Sequence, residues 1–392
     1  MKFTPIRPLT KFGRVSRSII LVALIIGGLF PEVGGIGVAA IASPLALVVV
    51  IYEIGRWIPK IHPVLLVPAF FGILALHAMA HPPATEYGAT KHSMWFTSTL
   101  LTALAASLLR DERAVITFAR TWLIASGLLA VVTIAGFGGG RGDGFDSNPI
   151  WLARAMATAI VIALFLVMQK HLKAWIFLLA AALLTVGILA TGSRGPTLAV
   201  ALGAIALVIF TRRHRIRRIV GIAIGAGIAY WAVTKLPFFA ESRIATMLSE
   251  GNTDPYRPIF WAVTPPMIAE HPEGVGIGNW LIFAGAPSQF TYPHSLFLEV
   301  FAEFGVLIGV GLVVVVLAIL VALLVRSKEM PVAILIFALL VVEIAQVSVS
   351  GDLNARTFWF LLTLGFFTAV RFVLPDRQDS ESSVENPVSA TR

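Results

Sequence analysis

The stretch YPHSLFLEVFAEFG, residues 292–305, sets His294, Glu299 and Glu303 at the opening of an otherwise apolar run. Ionisable groups in such a setting are costly in lipid and mark function. Ser295 is a good N-cap, so His294 hangs at the positive end of the helix that follows, where imidazolium is disfavoured. A neutral imidazole there can accept a proton from a hydroxyl, the work of a general base that activates a sugar alcohol; the plainer alternative is a capping histidine. Glu299 and Glu303 fall one turn apart on one helical face, able to approach the imidazole or to pair with a cation from a neighbouring span.

Two arginines add anion chemistry. Arg194 sits in the short turn TGSRGP and Arg257 beside aromatics in DPYRPIFW. A guanidinium is a planar fork that grips phosphate bidentately and keeps its charge, so the pair would suit a diphosphate at headgroup level. Pro196 fits the first turn of the helix that Arg194 opens, whose free N–H groups add to an anion site. Snorkelling to headgroups is the alternative for each. The remaining ionisable groups, Arg154, Glu343 beside Gln346, and Asp352 with Arg356 in SGDLNAR, gather at the same end of their spans. The other half is almost bare, whereas a conduit would carry polar groups through both halves. The pattern points to a site at the outer membrane–water boundary. Metal chemistry fits poorly: there is no HExxH and no cysteine, and Asp143 and Asp146 lie in the Gly-rich GGGRGDGFDSNP.

The elements that must hold these residues are membrane helices. Of 392 residues, 57% are hydrophobic and 13% charged, with mean hydropathy +0.87, the composition of an all-α integral membrane protein. Apolar runs at 18–30, 36–52, 64–80, 93–109, 117–137, 149–168, 174–191, 196–211, 217–233, 295–325, 331–349 and 356–374 give twelve expected spans. With both termini cytoplasmic, 22 of the 30 Lys and Arg residues fall on the cytoplasmic side, as the positive-inside rule requires. The net charge of +9 thus belongs to loops and does not point to nucleic acid. The chain divides into a bundle of about nine spans (1–233), a large extracytoplasmic loop (234–294), three further spans (295–374) and a polar, disordered cytoplasmic tail (375–392). The first span reads as an uncleaved helix rather than a signal peptide. In the large loop, RIATMLSEG is expected to start as a short helix. Phe260, Trp261 and Met267 suit a helix lying in the headgroup layer as a lid or platform, with a structural cap as the alternative.

The succession TGSRG, YRPIFW, HPEGVGIGNW, YPHSLFLEVFAEFGVLIG and SGDLNAR resembles the O-antigen ligase and polymerase family of bacterial surface-polysaccharide assembly, over about residues 185–360. The resemblance implies a twelve-span fold of the GT-C type in the bacterial inner membrane, its active site facing the periplasm. It implies metal-independent transfer of a glycan from undecaprenyl diphosphate, without cofactor or nucleotide sugar. Carried over by motif, Arg194 and Arg257 would hold the diphosphate and His294 would activate or orient the acceptor hydroxyl. Ser193, Tyr256, Trp261, Ser295, Glu299, Glu303 and Arg356 would contact substrate. Many relatives have His-Asn where this chain has His294-Ser295.

Three activities share this donor chemistry: ligation of O-antigen to lipid A-core, extension of a lipid-linked chain, and transfer to protein. Ligation is the favoured reading and polymerisation the alternative; a lipid or polysaccharide transporter, or a structural scaffold, fits the residues less well. Loss of one donor to a leaving group typically costs ~10²–10³ in rate. Arg194→Lys, which keeps the charge and loses the fork, should therefore remain badly impaired in glycan transfer, and near-normal transfer by that variant would refute the bidentate role.

Overall fold

The computed structural model describes residues 10–33, 35–55, 65–137, 142, 144, 145, 147–210, 256–285 and 290–370, with isolated positions between 221 and 235. Apart from one isolated bridge between Val33 and Ile36, regular structure among the described residues is helical. In order these are α1 (Lys11–Ile26), α2 (Val38–Gly55), α3 (Leu66–Ala80), α4 (Glu86–Met94), α5 (Leu100–Ala105), α6 (Glu112–Ala135), α7 (Pro149–Met168), α8 (Ala174–Thr191) and α9 (Arg194–Phe210). They continue with α10 (Arg257–Glu270), α11 (Trp280–Ala284), α12 (Leu296–Phe304), α13 (Val306–Arg326), α14 (Val332–Ser350) and α15 (Arg356–Ala369). Six helices or helix extensions are long and apolar enough to cross a membrane, and three more are apolar but shorter. The expected ninth span, the RIATMLSEG segment, Asp143, Asp146 and the tail from 375 lie outside the described residues.

Burial sorts the helices into layers. α7 and α14 are enclosed, with 72% of the apolar window buried in each, whereas only 28% of α13 is; its exposed valines and leucines form the kind of surface that faces lipid. α9 packs against both α7 and α14. The crossing needs a small residue, because a Cβ on Gly203 would stand 2.4 Å from Val342 and 2.9 Å from Val161. Close approach at small residues is how helices gain contact where lipid is as apolar as their own side chains.

Two expected spans are built differently. The fourth begins earlier, at Glu86, where the Thr85 hydroxyl caps by accepting from the Gly88 N–H. It then widens to a π-helical turn at Trp95–Thr99, the kind of insertion found where a side chain must be re-aimed. The tenth is two helices, α12 and α13, broken at Gly305 (φ 88°, ψ 169°). The cause is the segment 271–279, which wedges into the break: Val275 and Gly276 N–H groups donate to the carbonyls of Ala302 and Glu303, and Val306 N–H to that of Pro272. The Asn279 amide ties the same segment to the α3–α4 turn by accepting from Ala84 N–H and donating to the Pro82 carbonyl.

The helix expected in the large loop is present as α10, but its apolar face turns inward. Phe260 and Met267 are buried against Val275, Trp280 and Ala302, while Trp261 remains 43% exposed. The half of the bundle expected to be almost bare also carries charge, since Glu53 is buried in ion pairs with Arg17 and Arg110. Each of the three falls one residue outside an expected span (18–30, 36–52 and 93–109), where a search within spans passes them over.

Gly278 sits at φ 77°, and a Cβ there would meet the Gly88 backbone at 2.3 Å. Gly278→Ala should cost on the order of 1–3 kcal/mol, seen as a lower thermal unfolding midpoint in detergent; an unchanged midpoint would show that the segment is not wedged.

Candidate active site

The rim formed by the α1–α2, α3–α4, α8–α9 and α14–α15 turns, with α10 to α12, gathers most of the polar residues singled out in the sequence. Its centre is an ion cluster. Lys91 of α4 is 2% exposed and Glu299 and Glu303 of α12 are fully buried. The ammonium bonds Glu299 and, at 3.0 and 3.2 Å, both oxygens of Glu303. The second Glu299 oxygen accepts the Leu353 N–H at 2.8 Å, and Glu303 accepts a backbone hydrogen bond from Gly278. Both carboxylates are thus committed to protein partners. A floor of tilted and edge-on rings adjoins the cluster, Trp95 meeting Phe71, Phe304 and Trp359 at 4.9–5.9 Å.

His294 stands two residues before α12, in the left-handed region at φ 53°. Ser295 takes the N-cap place as the sequence suggests, but its side chain makes no capping bond. The imidazole packs on three rings: Phe260 of α10, stacked at 5.4 Å, Tyr292 at 4.3 Å and Phe290 at 6.2 Å. Phe260 lies one turn beyond Arg257, which opens α10, and Tyr256 packs on Phe290 at 4.7 Å. One aromatic cluster therefore brings His294, Tyr256 and the helix of Arg257 together, and Trp261 follows on the exposed side of that helix.

Arg194 occupies a separate part of the rim. Gly192 ends α8 in the left-handed conformation (φ 66°) and Arg194 is the first residue of α9. A Cβ on Gly195 would touch Val349 at 3.4 Å, which places this turn against the end of α14. Ser193 is buried, and its Oγ is without a hydrogen-bond partner.

Between α1, α4, α7 and the α14–α15 turn opens a cavity of about 700 Å³, lined among others by Tyr87, Lys91, Trp151, Arg154, Asp352 and Arg356. Arg154 donates to the Gln346 carbonyl at 3.0 Å and lies over the Trp151 ring at 5.3 Å. Glu343, Asp352, Tyr292 and Arg257 all lie within its electrostatic reach. Burial pushes the Asp352 carboxyl and the Tyr292 hydroxyl above their ordinary ranges. Arg356 is held from Nη1 by the Leu24 carbonyl at 3.4 Å.

Sequence reading overlooked Lys91, Tyr87 and Tyr292. Lys91 was detectable in principle: two acids on one face of an apolar helix require a cation, and Thr85 with Glu86 signals a helix start that carries Lys91 inward one turn later.

Apolar helices around a buried polar rim define a multi-pass membrane protein. Residues 179–313 match the family model described as O-antigen ligase. Among curated proteins none matches the chain. The matched segment contains Arg194, Arg257, His294, Glu299 and Glu303, and the match supports O-antigen ligase-type function. Lys91, Arg154 and the outer turn of α14–α15 lie beyond it.

Removing one partner of a buried ion pair costs about 3–5 kcal/mol because the other charge is stranded. Lys91→Met should lower thermal stability by that order, and adding Glu299→Gln and Glu303→Gln should restore a substantial part of it. A Lys91→Met protein as stable as wild type would show that the cluster does not hold the rim together.

Proposed function

We propose that this protein transfers a glycan from undecaprenyl diphosphate to a hydroxyl of lipid A-core at the periplasmic face of the bacterial inner membrane. It would do so as a metal-independent glycosyltransferase with twelve spans, GT-C architecture and cytoplasmic termini. The observation that carries this reading is the packing of His294 on Phe260, one turn from Arg257, inside the segment matched to the O-antigen ligase family.

In the proposed reaction the acceptor hydroxyl gives its proton to the His294 imidazole as its oxygen attacks the anomeric carbon. The bond from that carbon to the carrier diphosphate breaks, and the electron pair leaves with the diphosphate. Arg194 and Arg257 balance the charge that builds there, the interaction expected to contribute most to rate. Ser193, Tyr256, Trp261, Ser295 and Arg356 would contact the substrates. Glu299 and Glu303 act through Lys91, as the support on which α12 and His294 are mounted.

Cells lacking the gene, complemented with wild type or His294→Ala, test this in a gel profile of lipopolysaccharide and carrier-linked glycan. The expected result for His294→Ala is long chains retained on the carrier and bare lipid A-core. Core bearing single repeat units only would identify a polymerase instead, and a wild-type profile would remove His294 from the chemistry.

A further inference from the structure

The cavity beside Arg154 is lined wholly by residues outside the segment matched to the O-antigen ligase family. We propose that it is a saccharide subsite, holding an uncharged sugar ring of one of the two glycan substrates. The inference rests on the proposed glycan transfer for the identity of those substrates.

Charge balance argues for sugar over phosphate. The cavity's cations all face acids: Lys91 is engaged by Glu299 and Glu303, Arg154 faces Glu343 and Asp352, and Arg356 faces Asp352. No surplus positive charge remains among these groups to draw an anion. Hydroxyl chemistry, in contrast, is unmet. Buried Oδ1 atoms of Asp352 and Asn354 have no hydrogen-bond partner, and a buried acceptor in that condition is poised for a ligand's hydroxyl. The Trp151 ring, fixed beneath Arg154, supplies an aromatic wall of the kind on which the apolar face of a sugar rests.

The position suits the reaction. Tyr292 lies within electrostatic reach of Asp352 and Arg154 on the cavity side, and its ring is 4.3 Å from that of His294 on the other. Tyr292 thus links the Asp352 side of the cavity to the imidazole.

Saturation-transfer NMR on the purified full-length protein in detergent tests this with three probes. These are lipid-free repeat-unit oligosaccharide and lipid-free core oligosaccharide, both released from the cell's own lipopolysaccharide, and inorganic diphosphate as a control. One oligosaccharide should bind saturably, which assigns the subsite to donor or acceptor. Asn354→Ala and Trp151→Leu should each weaken it about tenfold, as loss of one hydrogen bond or one ring contact predicts. Asn354→Ala removes an oxygen with no internal partner, and an unchanged melting midpoint confirms that the fold is intact. Failure of both oligosaccharides to bind, binding indifferent to both cavity variants, or diphosphate binding that Asn354→Ala abolishes would each overturn the inference. Glycan binding without any lipopolysaccharide defect in His294→Ala cells would instead keep the subsite and sink the proposed chemistry.

Discussion

Everything at the rim depends on one lysine being buried between two glutamates. In a bundle this apolar, packing alone selects weakly among helix registers, because lipid tails solvate leucine and valine as well as another helix does. The Lys91 cluster removes that freedom. Its ammonium comes from α4, its carboxylates from α12, and the carboxylates take backbone N–H groups from the segment 271–279 and from the α14–α15 turn. A slip of one residue in either helix would leave a charge without its partner inside the protein, and a slip in either backbone segment would take a hydrogen bond from a buried carboxylate. The value of the cluster is therefore specificity of arrangement more than net stability, since desolvation offsets much of the attraction within a buried pair.

That arrangement explains how a histidine at a loop end becomes fixed. His294 departs from helical geometry at the residue where α12 must begin, and α12 cannot move because Glu299 and Glu303 anchor it. The rings of Phe260, Phe290 and Tyr292 then close around the imidazole from the other side. α10, which carries Arg257, is held by the same ring cluster and by the hydrogen bond from the Trp280 indole to Thr264. The described part of this connection, 256–285 and 290–294, thus packs around a small apolar core of its own.

The helical class and most helix boundaries were legible in the sequence, because hydropathy and turn residues are local signals. Glu299 and Glu303 were visible as acids out of place, but their partner was not. Lys91 lies more than 200 residues away in sequence, in a segment that reads as a polar loop before Trp95. The break at Gly305 escaped for a related reason: the hydropathy of 295–325 is continuous, and only the wedge of 271–279 shows that two helices are needed. The inward turn of Phe260 and Met267 likewise depends on Val275 and Trp280, which local amphipathicity cannot report.

The route of the chain through the Lys91 cluster also orders its synthesis. Residue 91 enters the membrane early, the two acids some 200 residues later, and the Leu353 N–H only when the final hairpin is made. Until then the nascent protein carries an unmatched lysine and, after that, acids whose last ligand has yet to emerge. The working end of this molecule is therefore absent from every shorter intermediate, even one that already contains the whole ligase-like segment. Maturation of the site is coupled to completion of the polypeptide, so that no incomplete product has an assembled rim.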